Sequence, residues 1–139
     1  MRAKIYSKLE DLKKYVHFLR SYQSHGKEEL KEDYTLRGAT ERYLQLALEC
    51  TLDIGEMIIS KEGLRKPERY KEVIEILGEE GILPREFTEK FAPSMGLRNI
   101  LVHRYAEVDL DELYGHLQHD LEDFNTFAKF VAKYVEEKY

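Results

Sequence analysis

Apolar residues recur along this chain at steps of three and four, the period of a helix that buries one face. Ile5, Leu9, Leu12, Val16 and Leu19 lay one stripe along a first helix, which Gly26 ends. The charged run from Lys27 to Asp33 carries no such period and reads as a loop or a frayed turn. A second helix is expected from about Leu36 to Ser60, with Leu36, Tyr43, Leu44, Ala47, Leu48, Thr51, Ile54 and Ile58 buried. Gly63 breaks it. Pro67 is suited to open a short third helix, since its missing N–H costs nothing in the first turn. Tyr70, Val73, Ile74 and Leu77 form that helix's apolar side, and Gly78 and Gly81 close it. Pro84 opens a fourth element carrying Phe87 and Phe91, which Pro93 and Gly96 should kink or break. Asp109 and Glu112 resemble an acidic capping box for a last helix. Leu110, Leu113, Leu117, Leu121, Phe124, Ala128, Val131 and Val135 descend one side of it.

No alternating run bounded by turn residues reads as a strand. The expected fold is therefore all-α: an antiparallel up-and-down bundle of four long helices plus a short one. The length of 139 residues suits a single domain over 1–139 with one buried core.

Beside the apolar stripe of the second helix runs a polar line: Arg37, Glu41, Gln45, Glu49 and Asp53, each four residues apart and so neighbours on the helix surface. It is either a solvated face or a polar wall turned to a partner subunit or a site.

Composition narrows the chemistry. Charged residues make up 35% of the chain and the formal net charge is -5. Affinity for nucleic acid comes largely from cations set against phosphates, so any such site here must be a local patch on an acidic body. No stretch approaches the 18 or so apolar residues of a membrane span. The first residues show no apolar signal core after their charges. The one cysteine, Cys50, lies in an apolar run and reads as a buried, inert thiol. One thiol forms no internal disulfide, which fits a reducing compartment, and the expected location is the cytoplasm.

Phosphate-binding loops, nucleophile elbows, zinc-protease helices and Cys-His metal spacings are all missing, and no cofactor or metal is expected. His116 and His119 are three apart with Asp120 and Asp123 behind them. That spacing could share a metal, but two ligands at a surface are a weak signal, and a solvated polar face opposite Leu117 and Leu121 is the better account. The run Arg98-Asn99-Ile100-Leu101-Val102-His103-Arg104-Tyr105 is denser in chemistry. Asn99 and His103 share a helix face, whereas Arg98 and His103 stand about 140° apart on a regular helix. A break near His103, the reach of Arg98, or a second copy of the helix from a partner would bring them to one site. Spacing alone favours a simpler reading, in which His103 is a helix-terminal cation facing the dipole while Arg98 pairs with a carboxylate.

The string Arg98-x-x-x-x-His103-x-Tyr105 resembles the R-x-x-x-x-H-x-Y signature of the HepT-like proteins of the HEPN superfamily. Residues 37–49, beginning Arg37-Gly38-Ala39-Thr40-Glu41, are similar to that family's second helix, and the helix order matches over nearly the whole chain. The resemblance implies a metal-independent endoribonuclease toxin that works as a homodimer. Arg98 and His103 would be its catalytic pair, and Asn99 and Arg104 would support or bind substrate. It also implies a small nucleotidyltransferase antitoxin of the MntA type as partner, neutralising the toxin by adding a nucleotide to Tyr105. RNA is the implied substrate, with transfer RNA a candidate.

That chemistry is sound in its own terms. Cleaving RNA without a metal requires the 2′-OH to lose a proton and the phosphorane charge to be stabilised. A histidine titrates near neutrality and can move the proton, and an arginine fork can hold the phosphate. One such His per chain leaves the acid–base pair incomplete, which a two-fold dimer would remedy. Two other readings stand beside it. One is a non-catalytic helical binding or regulatory subunit serving a minimal nucleotidyltransferase, which the acidic balance favours. The other is a bundle that oligomerises through the polar line from Arg37 to Asp53.

Overall fold

The computed structural model describes residues 1–139, apart from the side chain of Tyr105. The first helix, α1 (Arg2–Ser21), buries Ile5, Leu12, Val16 and Leu19. It packs along α3 (Tyr34–Glu62) and against α8 (Leu121–Lys138). Asp33 caps α3, its Oδ1 accepting from Leu36 N–H at 3.0 Å. Gly63, with φ 64, ends it in the left-handed conformation that glycine adopts at no steric cost. The stripe expected on α3 is the one that is buried, with Tyr43 half-exposed at its margin.

Residues 27–33 differ from expectation. Lys27–Glu32 form a six-residue helix, α2. Its one buried apolar residue, Leu30, gives no period to read, and the turn holds through tertiary contact. Lys27 Nζ reaches Asp111 at 2.6 Å, and α2 packs on α3 and on α7 (Leu110–Gly115).

The helix expected at Pro67 begins instead at Tyr70, as α4 (Tyr70–Glu79). A proline drives the residue before it to extended backbone, and Arg69 is itself extended at φ -133, ψ 156. The chain therefore crosses to α4 as an open segment. Arg65 ties that segment down by pairing with both Glu72 and Glu79. Gly78 does not close α4 but lies within it, where the bare Cα admits the Thr88 side chain; the left-handed residue is Gly81, φ 75.

Pro84 caps α5 (Arg85–Phe91), and Ala92–Gly96 tighten into a 3₁₀ turn before α6 (Leu97–His103). The expected break is present. Phe91 meets Phe124 edge to face at 5.8 Å and Phe127 at 5.6 Å, which anchors α5 on α8. Leu97 and Leu101, one turn apart, are the buried contacts of α6, which packs on α3. A 3₁₀ turn, Tyr105–Glu107, leads to Asp109, whose Oδ1 accepts from Asp111 N–H and Glu112 N–H. The last helix is not uniform: a π-turn at His116–Asp120 joins α7 to α8. The molecule is thus an all-α antiparallel bundle of four long elements, two of them segmented, with α4 and α2 as short additions. None of the helices among the described residues is long and apolar enough to cross a membrane.

Candidate active site on the short helix α6

Two turns of helix carry the motif. Leu97 and Leu101 face inward, so Asn99 and His103 must face out, and both are exposed. His103 is the last residue of α6, at the carbonyl end of the helix. Arg98 points elsewhere. Its Nη2 donates to Glu49 Oε2 at 3.1 Å, and its guanidinium carbon lies 5.3 Å from the centre of the Tyr70 ring. The Arg98 side chain retains 20% of its exposure and that of Glu49 31%, so the pair is half-buried. The single chain therefore brings Asn99 and His103 to one face and Arg98 to another, as the helical period demands. Its Arg98 is paired with a carboxylate, as the residue-only reading allows.

Arg104 leaves the helix at φ -134, ψ 35 and pairs with Glu107 at 2.6 Å. Both are open to solvent, so the pair is weak and salt-sensitive. Glu107 nonetheless offsets the positive potential that Arg104 alone would supply. Tyr105 opens the following 3₁₀ turn; its side chain lies outside the described residues.

The polar line on α3 is a wall braced against this segment and against α1. Arg37 Nη2 donates to the backbone carbonyl of Val108 at 3.0 Å, which holds the chain just beyond the motif. Glu41 steadies Arg37, and Gln45 donates to Glu49 at 3.2 Å. Asp53 pairs with Lys8 of α1 at 3.0 Å. Glu49 and Tyr70 were not legible as site residues. The signal that could have found Glu49 is its place in the i, i+4 line facing the motif helix. Tyr70 reads simply as the apolar start of α4.

Two clefts flank this arrangement. One, of about 370 Å³, is lined by Arg98, Glu49, Tyr70, Lys8 and several carboxylates. Those carboxylates are less anionic than their number suggests. Lys8 offsets Asp53 and Arg98 offsets Glu49, while burial and the nearby Asp53 push the Glu56 carboxyl above its ordinary value. The other, of about 630 Å³, lies across Tyr70, between the open segment before α4 and the start of α6. Arg69, Lys71, Asn99 and Gly96 line it.

No group of three or more His, Cys, Asp or Glu side chains among the described residues could hold a metal ion. His116 is engaged with Asp120, Nδ1 to Oδ2 at 2.7 Å, within the π-turn, and His119 is exposed. Cys50 is buried, and that burial pushes its thiol up to about 11. A thiolate nucleophile is thereby disfavoured.

Known proteins place these observations in a family. The chain is 28% identical over 131 residues to the tRNA nuclease HepT of Aphanizomenon flos-aquae, spanning 94% of this chain and 89% of that one. It is 28% identical over 127 residues to the mRNA nuclease HepT of Shewanella oneidensis, spanning 91% and 95%. A solved structure of the tri-AMPylated Shewanella oneidensis HEPN toxin in complex with MNT antitoxin is similar at a TM-score of 0.84 and 27% identity. That similarity covers 93% of this chain and 96% of the other. The family model described as Ribonuclease HepT-like matches residues 8–131, so the motif helix, its α3 wall and the bundle that carries them belong to a chain of the HepT-like ribonuclease family.

Proposed function

We propose that this protein is a metal-independent endoribonuclease toxin, with Arg98 and His103 as its catalytic pair and RNA as its substrate. The observation that carries the reading is the family match over residues 8–131, with an intact Arg98-x-x-x-x-His103-x-Tyr105 string on a short, outward-facing helix. His103 moves the proton between the 2′-OH and the leaving oxygen, and Arg98 stabilises the charge that develops on the phosphate. Asn99 orients His103 or meets the phosphate from the same face. Arg104 is a weaker contributor because Glu107 offsets it. One exposed His per α6 supports a homodimer in which two motif helices form one cleft. The similar nucleases are named for two different RNAs, which supports RNA as the class and makes total RNA the right assay substrate.

The similar HEPN toxin is tri-AMPylated and bound to an MNT antitoxin. By likeness, the partner here is a nucleotidyltransferase antitoxin of the MntA type, and Tyr105 is the residue it modifies. Added phosphate two residues past His103 would repel an incoming RNA backbone. A cytoplasmic location is supported by the chemistry, since RNA and ATP are both present there. A second reading, a non-catalytic subunit of a nucleotidyltransferase, draws support from Arg98 being already paired with Glu49.

The deciding experiment incubates the purified protein with total RNA, wild type beside His103→Ala, with and without EDTA. Cleavage that survives EDTA and disappears with His103→Ala is the expected result. An inactive wild type would favour the non-catalytic subunit, and loss on chelation would overturn the metal-free mechanism.

A further inference from the structure

We infer that Glu49 and Tyr70 are positioning residues for Arg98, a carboxylate and an aromatic face that fix the guanidinium plane before RNA arrives. The inference rests on the ribonuclease reading above. Arginine carries a planar fork with donors along more than one edge. Here the Nη2 arm is committed to Glu49 at 3.1 Å. The guanidinium carbon lies over the Tyr70 ring, 5.3 Å from its centre and within the range where a cation is attracted to a ring. Nε and Nη1 donate to no described residue, and Arg98 lines the cleft of about 370 Å³.

Two contacts on one guanidinium, a hydrogen bond and an aromatic ring, limit the side chain's rotational freedom. An unheld arginine would lose several rotatable bonds' worth of entropy at each turnover; a held one has lost it on folding. Both constraints come from outside α6, Glu49 from α3 and Tyr70 from the start of α4. The same two elements carry the fold's load around the site. Glu49 is braced by Gln45 at 3.2 Å, and the segment leading to Tyr70 is tied by Arg65 to Glu72 and Glu79. The alternative role for the same pair is a latch that keeps Arg98 away from RNA. Positioning and latching predict opposite signs when Glu49 is removed.

The test measures initial cleavage rates on bulk transfer RNA and on a mixed-sequence RNA oligonucleotide. It compares wild type, Glu49→Gln, Glu49→Ala, Tyr70→Phe and Tyr70→Ala, with a melting curve for each. Glu49→Gln keeps an acceptor oxygen and Tyr70→Phe keeps the ring, so both should stay within about threefold of wild type. Glu49→Ala and Tyr70→Ala should lower kcat about ten- to hundredfold with little change in KM, because the lost order is felt where charge develops. In an Arg98→Lys background, Glu49→Ala should add nothing, since it acts only through the guanidinium. That coupling also guards against a variant that merely folds poorly, whose loss would persist whatever stands at 98. A rise in rate with Glu49→Ala, or multiplicative losses in the double variant, would overturn the inference while leaving the ribonuclease reading intact. A wild type silent on both RNAs would overturn the ribonuclease reading, and this inference with it.

Discussion

Arg98 cannot be exchanged for lysine on charge alone. An ammonium is a point charge with no plane to lie on Tyr70 and no second edge to offer a phosphate. Arg98→Lys should therefore lower kcat about a hundredfold or more while the melting temperature stays near wild type, as initial rates and a thermal melt would show. A variant of near-wild activity would mean that charge alone is used. Cys50 should behave oppositely. It is 7% exposed and its thiol is pushed up to about 11, so a thiol reagent at pH 8 should label it only as fast as the protein opens. Rapid stoichiometric labelling of the native protein would contradict the buried placement. The motif residues were legible because residue type and spacing carry them. The partner of Arg98 was not, because Glu49 is forty-nine positions away and a line of polar residues on a helix looks the same whether it faces water or a guanidinium. Tyr70 was read as part of an apolar helix side and is half-buried, but no one-dimensional pattern shows which residue a ring meets.

Helices with strong periods were the readable elements, and those held by tertiary contacts were not. The long stripes of α1, α3 and α8 predicted their own buried faces, and the prolines at 84 and 93 marked the start and the interruption of the motif-bearing element. The helix α2 escaped because a single buried Leu30 makes no period, and the π-turn at His116–Asp120 because one extra residue hardly disturbs a stripe of steps of three and four. Pro67 misled because a helix-opening proline and a loop proline look alike until the next apolar face is placed. Close packing between elements gives a sharp test. Gly55 of α3 meets Val73 of α4, and a Cβ there would fall inside contact distance of Val73 Cγ1. Valine is stiff, so Gly55→Ala should destabilise the protein by about 1–3 kcal/mol through overpacking. Chemical denaturation would measure it, and an unchanged midpoint would show that the helices can part freely. At the other end of the motif, Asp109→Ala removes the acceptor for two backbone N–H groups and should cost about 1 kcal/mol. That cap follows the motif directly, so the same variant reports whether the Tyr105–Glu107 turn depends on α7.

Across the whole molecule the acidic balance is not a contradiction of RNA chemistry but a limit on it. With a net charge of -5, attraction to RNA must come from local groups of cations, and Arg69 and Lys71 beside the larger cleft are two that lie near α6. Long-range steering should be weak, and the substrate must be engaged by fit at close quarters. The shortness of α6 matters in another way. Seven residues close few backbone bonds of their own, and the helix is bounded by a 3₁₀ turn on each side. Amides in so small a unit can exchange with solvent through a local opening that leaves α3 closed. In deuterated water the α6 amides should therefore exchange well ahead of those around Leu48, Ile54 and Ile58, and RNA or a bound partner should slow the first group without touching the second. If both groups exchanged together, the motif would be part of the globally cooperative core. As a separately opening unit it can be ordered or released by whatever binds beside it, leaving the rest of the bundle folded throughout.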